Sequence, residues 1–432
     1  AMRAWRVLVA VLVVLGIGVS GFGQPPEVPA PAPPEVIRIA TFNVEDIRRE
    51  HFEDLSHPEP PEAARLRAVA TIIQRLQPDI LLLTEVATGQ SQNDLGDWIV
   101  DIANSPAALF AERYLAVSQQ EGCLEGIDYE VFVAVSNTGI HSGHDLNRDG
   151  IVDPTATGRV YGEDCLGYGE FPGHFGMALL VRRDRGLSID RPNVRTFREF
   201  LWKDMPGALL PPVPQGDDFD ERIGGWYSDE ALAVLPLSSK SHWDVPVRVG
   251  DGRVVRVLAS HPTPPVFDGP EDRNGRRNHD EIRFWAEYLD GAEWIVDDRG
   301  GRGGLAAGAL FVIAGDLNAD PLKGDSRGNP MGRWLLGHER VQGDVVPRSR
   351  MGIPGVAGLT ATDTARFRLR VDYVLPSVGM EVVGSGVFRG VRDWAGTECK
   401  AVLPDERYQR ETGEFPSDHF PVWVDVVIGG GE

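Results

Sequence analysis

Polar residues stand at the ends of apolar, strand-like runs along most of this chain, and this pattern constrains the fold more than any other feature. Asn43 follows the run 37–42, and Glu85 follows the run 80–84. The later residues of the same kind are His261 after 254–260, Asp316 and Asn318 after 310–315, Asp372 within 370–375, and Asp418 and His419 before 420–427. Because neighbouring strands lie only about 5 Å apart in a sheet, their ends can meet at one edge. One pocket could then collect carboxylates, amides and two histidines, the groups that metal-assisted hydrolysis of a phosphate ester requires.

Helical and strand-like segments alternate along the chain. Residues 61–77 place apolar side chains on one helical face, and another helix is predicted to begin near Asn278 or His279. The runs 245–249 and 253–259 are separated by a Gly-Asp-Gly turn and predict a hairpin. Alternating strands and helices that include a hairpin favour mixed rather than purely parallel sheets.

The order and residue identities of the polar motifs resemble those of the endonuclease/exonuclease/phosphatase superfamily, the DNase-like, metal-dependent phosphoesterases. The resemblance extends from about Ile37 to Val427. It rests on Thr41-Phe42-Asn43, Glu85 after a buried strand, Ser260-His261, Gly315-Asp316-Leu317-Asn318, Asp372-Tyr373 and Ser417-Asp418-His419, all in the expected order. The resemblance implies an α/β fold, a four-layered sandwich of two mixed β-sheets flanked by helices.

Three of these residues are expected at a metal centre. A carboxylate at a strand end suits a hard cation such as Mg²⁺ or Mn²⁺, so Glu85 is the expected ligand. Asn43 could supply a neutral oxygen ligand and help to orient Glu85. Asp316 could bind a second metal, or it could orient or activate the nucleophile.

The remaining motifs are expected to carry the catalytic groups. The resemblance assigns His419 as the general base that takes a proton from the attacking water. A carboxylate on its other ring nitrogen would fix the tautomer and raise the basicity. Either Asp372 or Asp418 could be that carboxylate while the other approaches a metal, so Asp418 is a candidate for both roles. His261 is expected to donate to a phosphate oxygen or the leaving group, and Asn318 to hydrogen-bond the phosphate in the transition state.

The charge pattern limits the substrate only in part. Arg276 and Arg277, with Asn278, could clamp a phosphate, although a solvated loop with balanced charges explains them equally well. The formal net charge is -21, from 43 Lys and Arg against 64 Asp and Glu, and no long basic and aromatic stripe follows the chain. A stable nucleic-acid complex is therefore not expected. Acidity does not exclude a nuclease, because bound divalent cations supply positive charge locally.

The N-terminal segments predict an exported enzyme. Residues 1–23 combine a positive start, an apolar run and small residues, as in a signal peptide, and residues 24–35 read as a Pro- and Ala-rich linker. The apolar run is shorter than a membrane span needs, so no transmembrane segment is expected in the mature chain. Residues 36–428 are then the catalytic domain, with an insertion at about 103–173, in a secreted or periplasmic protein.

The predicted insertion contains two further features. Cys123 and Cys165 could form a disulfide in an exported protein and leave Cys399 over, or all three cysteines could be free thiols. The loop residues Asp145, Asn147, Asp149 and Asp153 match the start of a calcium-binding loop. Position twelve of this loop is Ala156 rather than Glu. A structural calcium site is therefore expected rather than a regulatory EF-hand, and the alternative is an acidic turn without metal.

Taken together, the sequence predicts an exported, Mg- or Mn-dependent phosphoesterase. The expected reaction is hydrolysis of a phosphomonoester or phosphodiester by metal-assisted attack of a His-activated water. The substrate could be a small molecule, a nucleic acid or a lipid headgroup, so an extracellular nuclease and a lipid phosphodiesterase of the same superfamily are alternatives. A non-catalytic, calcium-dependent binding module is the alternative from a different class.

Overall fold

The computed structural model of this chain describes residues 36–53, 61–214, 225–250, 252–353, 355–390 and 401–428. The predicted signal peptide, residues 1–23, and the predicted linker, residues 24–35, lie outside the described residues. All described residues belong to the unit Glu35–Glu432.

Two six-stranded sheets form the centre of the fold. In spatial order the first sheet contains β13 (Glu381–Val387), β14 (Val422–Val427), β1 (Val36–Ile47), β2 (Ile80–Val86), β6 (Met177–Arg182) and β5 (Tyr129–Phe132). The second contains β12 (Asp372–Pro376), β11 (Leu310–Asp316), β10 (Arg253–Ser260), β9 (His242–Val249) and β7 (Ser188–Ile189), with β8 (Arg195–Thr196) also paired to β9. Each sheet has one parallel pair, β1 with β2 and β10 with β11, and its other pairs are antiparallel. Both sheets are therefore mixed, as predicted.

Helices and shorter elements surround the sheets. The α-helices are α1 (Glu50–Glu53), α2 (Pro61–Leu76), α3 (Pro106–Phe110), α4 (Gly158–Gly162), α5 (Asp229–Leu232), α6 (Arg273–Leu289) and α7 (Pro404–Thr412). Single 3-10 turns lie at Ile102–Asn104, Arg191–Asn193 and Trp202–Asp204, and π turns at Ala111–Leu115 and Met331–Leu335. A separate hairpin pairs β3 (Gln90–Gln92) with β4 (Trp98–Val100).

The alternation of side chains along the strands explains the layered packing. In β10, Val255 and Val257 belong to the core that the two sheets share, whereas Leu258 belongs to a second core that includes Trp285 of α6. Successive residues of a strand point to opposite faces, so the second sheet lies between the first sheet and α6. On the other side, α2 contributes residues such as Leu66 to the shared core. The predicted four-layered α/β sandwich is confirmed.

Several local predictions meet different outcomes. The predicted hairpin is present as β9 and β10, paired in register from Val249 and Arg253. The helix predicted to begin near Asn278 or His279 begins at Arg273 instead, because the Asp268 carboxylate accepts the backbone N–H of Asn274 in its first turn. Part of the segment 103–173 is not peripheral, since it supplies β5 at the edge of the first sheet.

Neither of the two cysteine arrangements that the sequence left open, a Cys123–Cys165 disulfide or three free thiols, is present. Cys399 lies outside the described residues. Cys165 is a free, buried thiol, whereas Cys123 is disulfide-bonded. Burial of Cys165 raises the pKa of its thiol to about 12, so the neutral thiol is retained.

Candidate active site

The ends of strands from both sheets meet at one point, as the sequence pattern predicts. Asn43 in β1 lies opposite Thr84 in β2, which places Glu85 beside it. In the other sheet Asp316 of β11 pairs directly with Asp372 of β12. The amide nitrogen of Asn43 joins the two sheets, because Nδ2 donates to Glu85 Oε1 over 2.9 Å and to Asp316 Oδ2 over 3.1 Å.

Asn43 therefore presents its amide nitrogen, rather than its oxygen, to the two carboxylates. Its Oδ1 accepts a hydrogen bond from the backbone N–H of Glu45 over 3.0 Å. In this arrangement Asn43 orients Glu85, as expected, while its oxygen is already engaged as an acceptor. Its additional role as an oxygen ligand of the metal stays a prediction.

His419 and Asp372 form a buried pair. His419 Nδ1 lies 2.9 Å from Asp372 Oδ2, whereas His419 Nε2 lies 3.9 Å from Asp418 Oδ1. Asp372 is thus the carboxylate that orients the imidazole, and Asp418, whose side chain is 45% exposed, is not. Burial would lower the pKa of His419, but Asp372 and Asp316 outweigh it and hold that pKa well above its usual value.

The turn before His419 is fixed by its serine. Ser417 Oγ donates to the carbonyl of Asn43 over 2.7 Å and accepts from the backbone N–H of His419 over 3.1 Å. The ring of Phe367 packs edge-on against the His419 imidazole with centroids 5.3 Å apart. Ser417 therefore fixes the backbone of His419, and Phe367 packs against its imidazole.

Asp316 is the central carboxylate of the cluster. Its Oδ2 lies 3.5 Å from His261 Nε2 and 3.7 Å from His419 Nε2, and its Oδ1 accepts from the Asn318 N–H over 2.9 Å. Burial raises the pKa of Asp316 to about 7, with His419 opposing the shift and Asp372 adding to it. Burial also raises the pKa of Glu85, against the hydrogen bond from Asn43.

Unusual backbone conformations accompany these side chains. Glu85 has a φ of 61° and Asn318 a φ of 53°, in the left-handed region that L-residues rarely occupy. Gly315 has a φ of 152°, and a Cβ at this position would lie 1.9 Å from the Ser260 carbonyl oxygen. The close approach of β11 to the end of β10 thus requires glycine before Asp316. Strain of this kind commonly concentrates at functional sites.

The cluster fits a divalent cation. Ligand atoms of Glu85, His261 and Asp316 lie within 4.8 Å of one another, and so do those of Asp316, Asp372 and His419. Two buried polar atoms of these groups, His261 Nδ1 and Asp372 Oδ1, have no hydrogen-bond partner among the described residues. The carboxylates suit Mg²⁺ or Mn²⁺, and an imidazole nitrogen suits Mn²⁺ better than Mg²⁺.

The predicted phosphate clamp needs correction. Arg277 is buried and donates to the carbonyl oxygens of Leu237, Pro236 and Leu166 over 2.7–2.9 Å. Asn278 is fully buried and donates from Nδ2 to the carbonyls of Thr263 and Leu317. Arg276 is buried as well. Arg277 and Asn278 thus hold loops against α6, and burial of the helix rather than the local charge pattern decides their environment.

The predicted calcium loop is closed by its own hydrogen bonds. Asp145 accepts the N–H groups of Asp149 and Gly150, and Asn147 Nδ2 donates to Glu163 Oε2 over 2.6 Å. Asp153 turns its Oδ1 to the N–H and hydroxyl of Thr155. Glu163 brings a carboxylate that the sequence pattern did not include, and calcium binding here stays a prediction.

Sequence reasoning missed two residues beside the cluster. Glu45 lies two residues after Asn43, and its Oε2 accepts from the backbone N–H of Asp418 over 2.9 Å. This bond ties the bulged end of β1 to the turn before His419, and a polar cavity of about 310 Å³ adjoins Glu45. Lys240, just before β9, is the second missed residue and is 6% exposed. Its signal in the sequence is a lysine within a short serine-rich run, Ser238-Ser239-Lys240-Ser241.

Comparison with known proteins identifies the family. The profile of the Endonuclease/Exonuclease/phosphatase family matches residues 40–419, so the chain belongs to this family of phosphoester hydrolases. Members typically use a divalent metal, and the described residues include candidate ligand groups. No curated protein matches the sequence significantly. No helix within the described ranges combines the length and the apolar character needed to cross a membrane.

Solved structures that are similar to this chain share little sequence with it. An endonuclease/exonuclease/phosphatase from Beutenbergia cavernae is 17% identical, with 91% of this chain and 72% of that chain covered and a TM-score of 0.44. The human Nocturnin catalytic domain is 13% identical, with 90% and 94% covered and a TM-score of 0.42. A mannosyl-6-phosphatase from Bacteroides thetaiotaomicron is 12% identical, with 90% and 99% covered and a TM-score of 0.41.

Proposed function

We propose that this protein is an exported, divalent-metal-dependent phosphoesterase that hydrolyses phosphomonoester or phosphodiester bonds with a water activated by His419. One observation carries the proposal, the contact of 2.9 Å between His419 Nδ1 and Asp372 Oδ2 beside the carboxylates Glu85 and Asp316. When Asp372 accepts a hydrogen bond from Nδ1–H, Nε2 is left to accept a proton from water. This pairing is the arrangement that a general base needs.

Glu85 and Asp316 would hold the cation, Mg²⁺ or Mn²⁺. A cation there would neutralise phosphate charge and position the phosphate for in-line attack. In the metal-free chain the raised pKa of His419 favours its protonated form. A cation bound to the neighbouring carboxylates would offset their charge and repel the imidazolium. The pKa of His419 would then fall, so that Nε2 could accept a proton.

His261 acts as a neutral donor in this proposal. Burial, together with the charges of Lys240 and His419, lowers the pKa of His261 well below its usual value. A neutral imidazole can donate one N–H to a phosphate oxygen, but it holds no extra proton for the leaving group. Of the two roles expected for His261, the structure thus favours hydrogen bonding to the phosphate. Asn318, whose Nδ2 donates to the Pro262 carbonyl over 3.1 Å, lies next to it.

Export is supported by one structural observation. Cys123 is disulfide-bonded, and disulfides persist mainly in oxidising compartments. A secreted or periplasmic location agrees with this chemistry. Fractionation of cells that express the full chain, with an immunoblot of each fraction, tests it, and protein confined to the cytoplasm would contradict it.

The central test compares the purified protein with Glu85→Ala and with Glu339→Ala, a control at an exposed glutamate. The substrates are plasmid DNA, RNA, bis-p-nitrophenyl phosphate, p-nitrophenyl phosphate and sphingomyelin, each with Mg²⁺, Mn²⁺, Ca²⁺ or chelator. We expect metal-dependent turnover that Glu85→Ala abolishes and Glu339→Ala retains. Turnover that persists with chelator and in Glu85→Ala would contradict the proposed metal centre. Comparison of the turnover rates ranks the substrate classes.

A further inference from the structure

Lys240 is a buried cation without a partner in the part of the chain that the structure describes. The chain has four lysines, at positions 203, 240, 323 and 400. Lys240 is 6% exposed, and its ammonium makes no hydrogen bond or ion pair with any residue in the described ranges. Lysine is rarely buried unless it is paired, because removing an unpaired charge from water is costly.

Lys240 lies beside the strand end that carries His261, because His242 of β9 is paired with Ser260 of β10. Glu281 joins the two loops, since it accepts the backbone N–H groups of both Ser239 and Thr263. Burial lowers the pKa of Lys240, while Glu281, Glu85 and Asp316 oppose the shift through their negative charges. The ammonium therefore lies near the carboxylates Glu85 and Asp316, but it forms no ion pair with either of them.

The loop that carries Lys240 is held rigidly. Ser239 donates to Glu281 Oε1 from its backbone N–H over 2.7 Å and from Oγ over 3.0 Å. Asn137 donates from its backbone N–H to the Lys240 carbonyl over 2.9 Å and from Nδ2 to the Ser238 carbonyl over 2.8 Å. The backbone at Gly167 covers the same loop so closely that a Cβ there would lie 1.8 Å from the Ser239 carbonyl oxygen. The backbone around Lys240 is thus fixed by contacts with Glu281, Asn137 and Gly167.

We propose that Lys240 is a substrate-binding residue, whose ammonium donates to a non-bridging oxygen of the phosphate held between Glu85, Asp316 and His261. This role deepens the proposed function and rests on it. An anion that enters the site gives the ammonium the partner it lacks, and a preorganised donor loses little freedom when it binds. The competing explanation is that Lys240 only offsets the repulsion between Glu85 and Asp316.

Kinetics of Lys240→Met and Lys240→Arg separate these explanations, with exposed Lys203→Met as the matched control. For each variant we would measure kcat/KM, competitive inhibition by inorganic phosphate, and the metal concentration for half-maximal activity. We expect Lys240→Met to lower kcat/KM about 100-fold and to weaken phosphate inhibition about 30-fold, the loss of one charged hydrogen bond. Lys240→Arg should recover part of both, because it keeps the charge. Unchanged phosphate inhibition with a lower metal requirement in Lys240→Met would overturn the proposal, since it is what simple charge compensation predicts.

A second measurement follows the NMR signal of Lys240 itself, so it does not depend on whether Lys240→Met folds. Lysine labelled with ¹³C at Cε gives few signals, and Lys203→Met, Lys323→Met and Lys400→Met assign three of them. Inorganic phosphate added to the Mg²⁺-loaded protein should shift the Lys240 signal, and chloride at equal ionic strength should not. A Lys240 signal that ignores phosphate would overturn the proposal. Because this readout needs no turnover, it distinguishes failure of the Lys240 assignment from failure of the proposed phosphoesterase activity.

Discussion

Replacement of Glu281 by glutamine should destabilise the protein through two active-site loops at once. Glu281 is fully buried in α6. Its Oε1 accepts the N–H and the hydroxyl of Ser239, and its Oε2 accepts the N–H of Thr263 over 2.6 Å. Ser239 precedes Lys240, and Thr263 lies two residues after His261. One carboxylate therefore fixes the positions of both side chains.

The magnitude follows from the hydrogen-bond count. Glutamine has one oxygen and one NH2 group, so whichever way the amide turns, its NH2 meets a buried backbone N–H of Ser239 or Thr263. That leaves a buried donor unsatisfied, at about 1–3 kcal/mol, and replaces charge-assisted bonds worth about 1.5–3 kcal/mol by weaker ones. Loss of the negative charge also removes the largest attraction that favours the buried Lys240 ammonium. We expect the free energy of unfolding to fall by about 3–5 kcal/mol.

Urea unfolding monitored by tryptophan fluorescence gives this quantity by linear extrapolation. Glu287→Gln is the matched control, because Glu287 lies on the same helix with a 32% exposed side chain and a weak contact of 3.9 Å to Arg283. The control should change the free energy of unfolding by less than about 0.5 kcal/mol. A Glu281→Gln protein within 1 kcal/mol of the parent, with normal kcat, would refute the reasoning that this carboxylate holds both loops.

Three further predictions concern the histidines and the acidic loop. Asp372→Asn should lower kcat about 1,000-fold or more, because the Nδ1 proton of His419 loses its acceptor; steady-state assays that show less than a tenfold loss would contradict that role. Burial lowers the pKa of His242 to about 4, so between pH 6.5 and 4 the unfolded chain binds a proton that the folded chain does not, and stability falls by about 3 kcal/mol as the pH falls through this window. His242→Gln should flatten that part of the profile in urea unfolding, and a profile parallel to the parent's would be the contrary result. Asp149→Ala should remove any rise in Tm with added calcium without changing kcat, whereas a parent protein that melts identically with calcium and with chelator has no site there.

The strand-end residues could be predicted from the sequence, because the apolar runs that precede or follow them become the paired strands of the two sheets. Each of them follows or begins a short apolar run, and such a run becomes a strand whose pairing is fixed by burial on its faces. Asp316 and Asp372 illustrate this, since they are far apart in the chain and directly opposite each other in the register of β11 and β12. Which of Asp372 and Asp418 orients the imidazole could not be predicted, because it depends on the direction of the His419 ring after the turn at Ser417.

The errors concern residues whose environment is set by distant segments. Arg277 looked like part of an exposed basic run, but its partners are carbonyls of residues 166, 236 and 237. No periodicity near Arg277 reports those carbonyls. Lys240 was missed for the same reason, since burial of a lysine in a serine-rich loop follows from the cover provided by Asn137 and Gly167. Disulfide pairing likewise depends on long-range geometry rather than on the spacing of Cys123 and Cys165.

Helix α6 connects these observations, because two of its buried polar side chains hold the loop before β9 and the segments that follow β10 and β11. Asn278 holds the carbonyls of Thr263 and Leu317, and Glu281 holds the N–H groups of Ser239 and Thr263. The backbone N–H of Thr263 therefore donates to Glu281 while its carbonyl accepts from Asn278. Leu317 lies between Asp316 and Asn318 in the chain. A shift of this helix moves the loops of Lys240, His261 and Asp316 together. Paired substitutions at Asn278 and Glu281 should consequently be non-additive, since the first already releases the loop that the second would free.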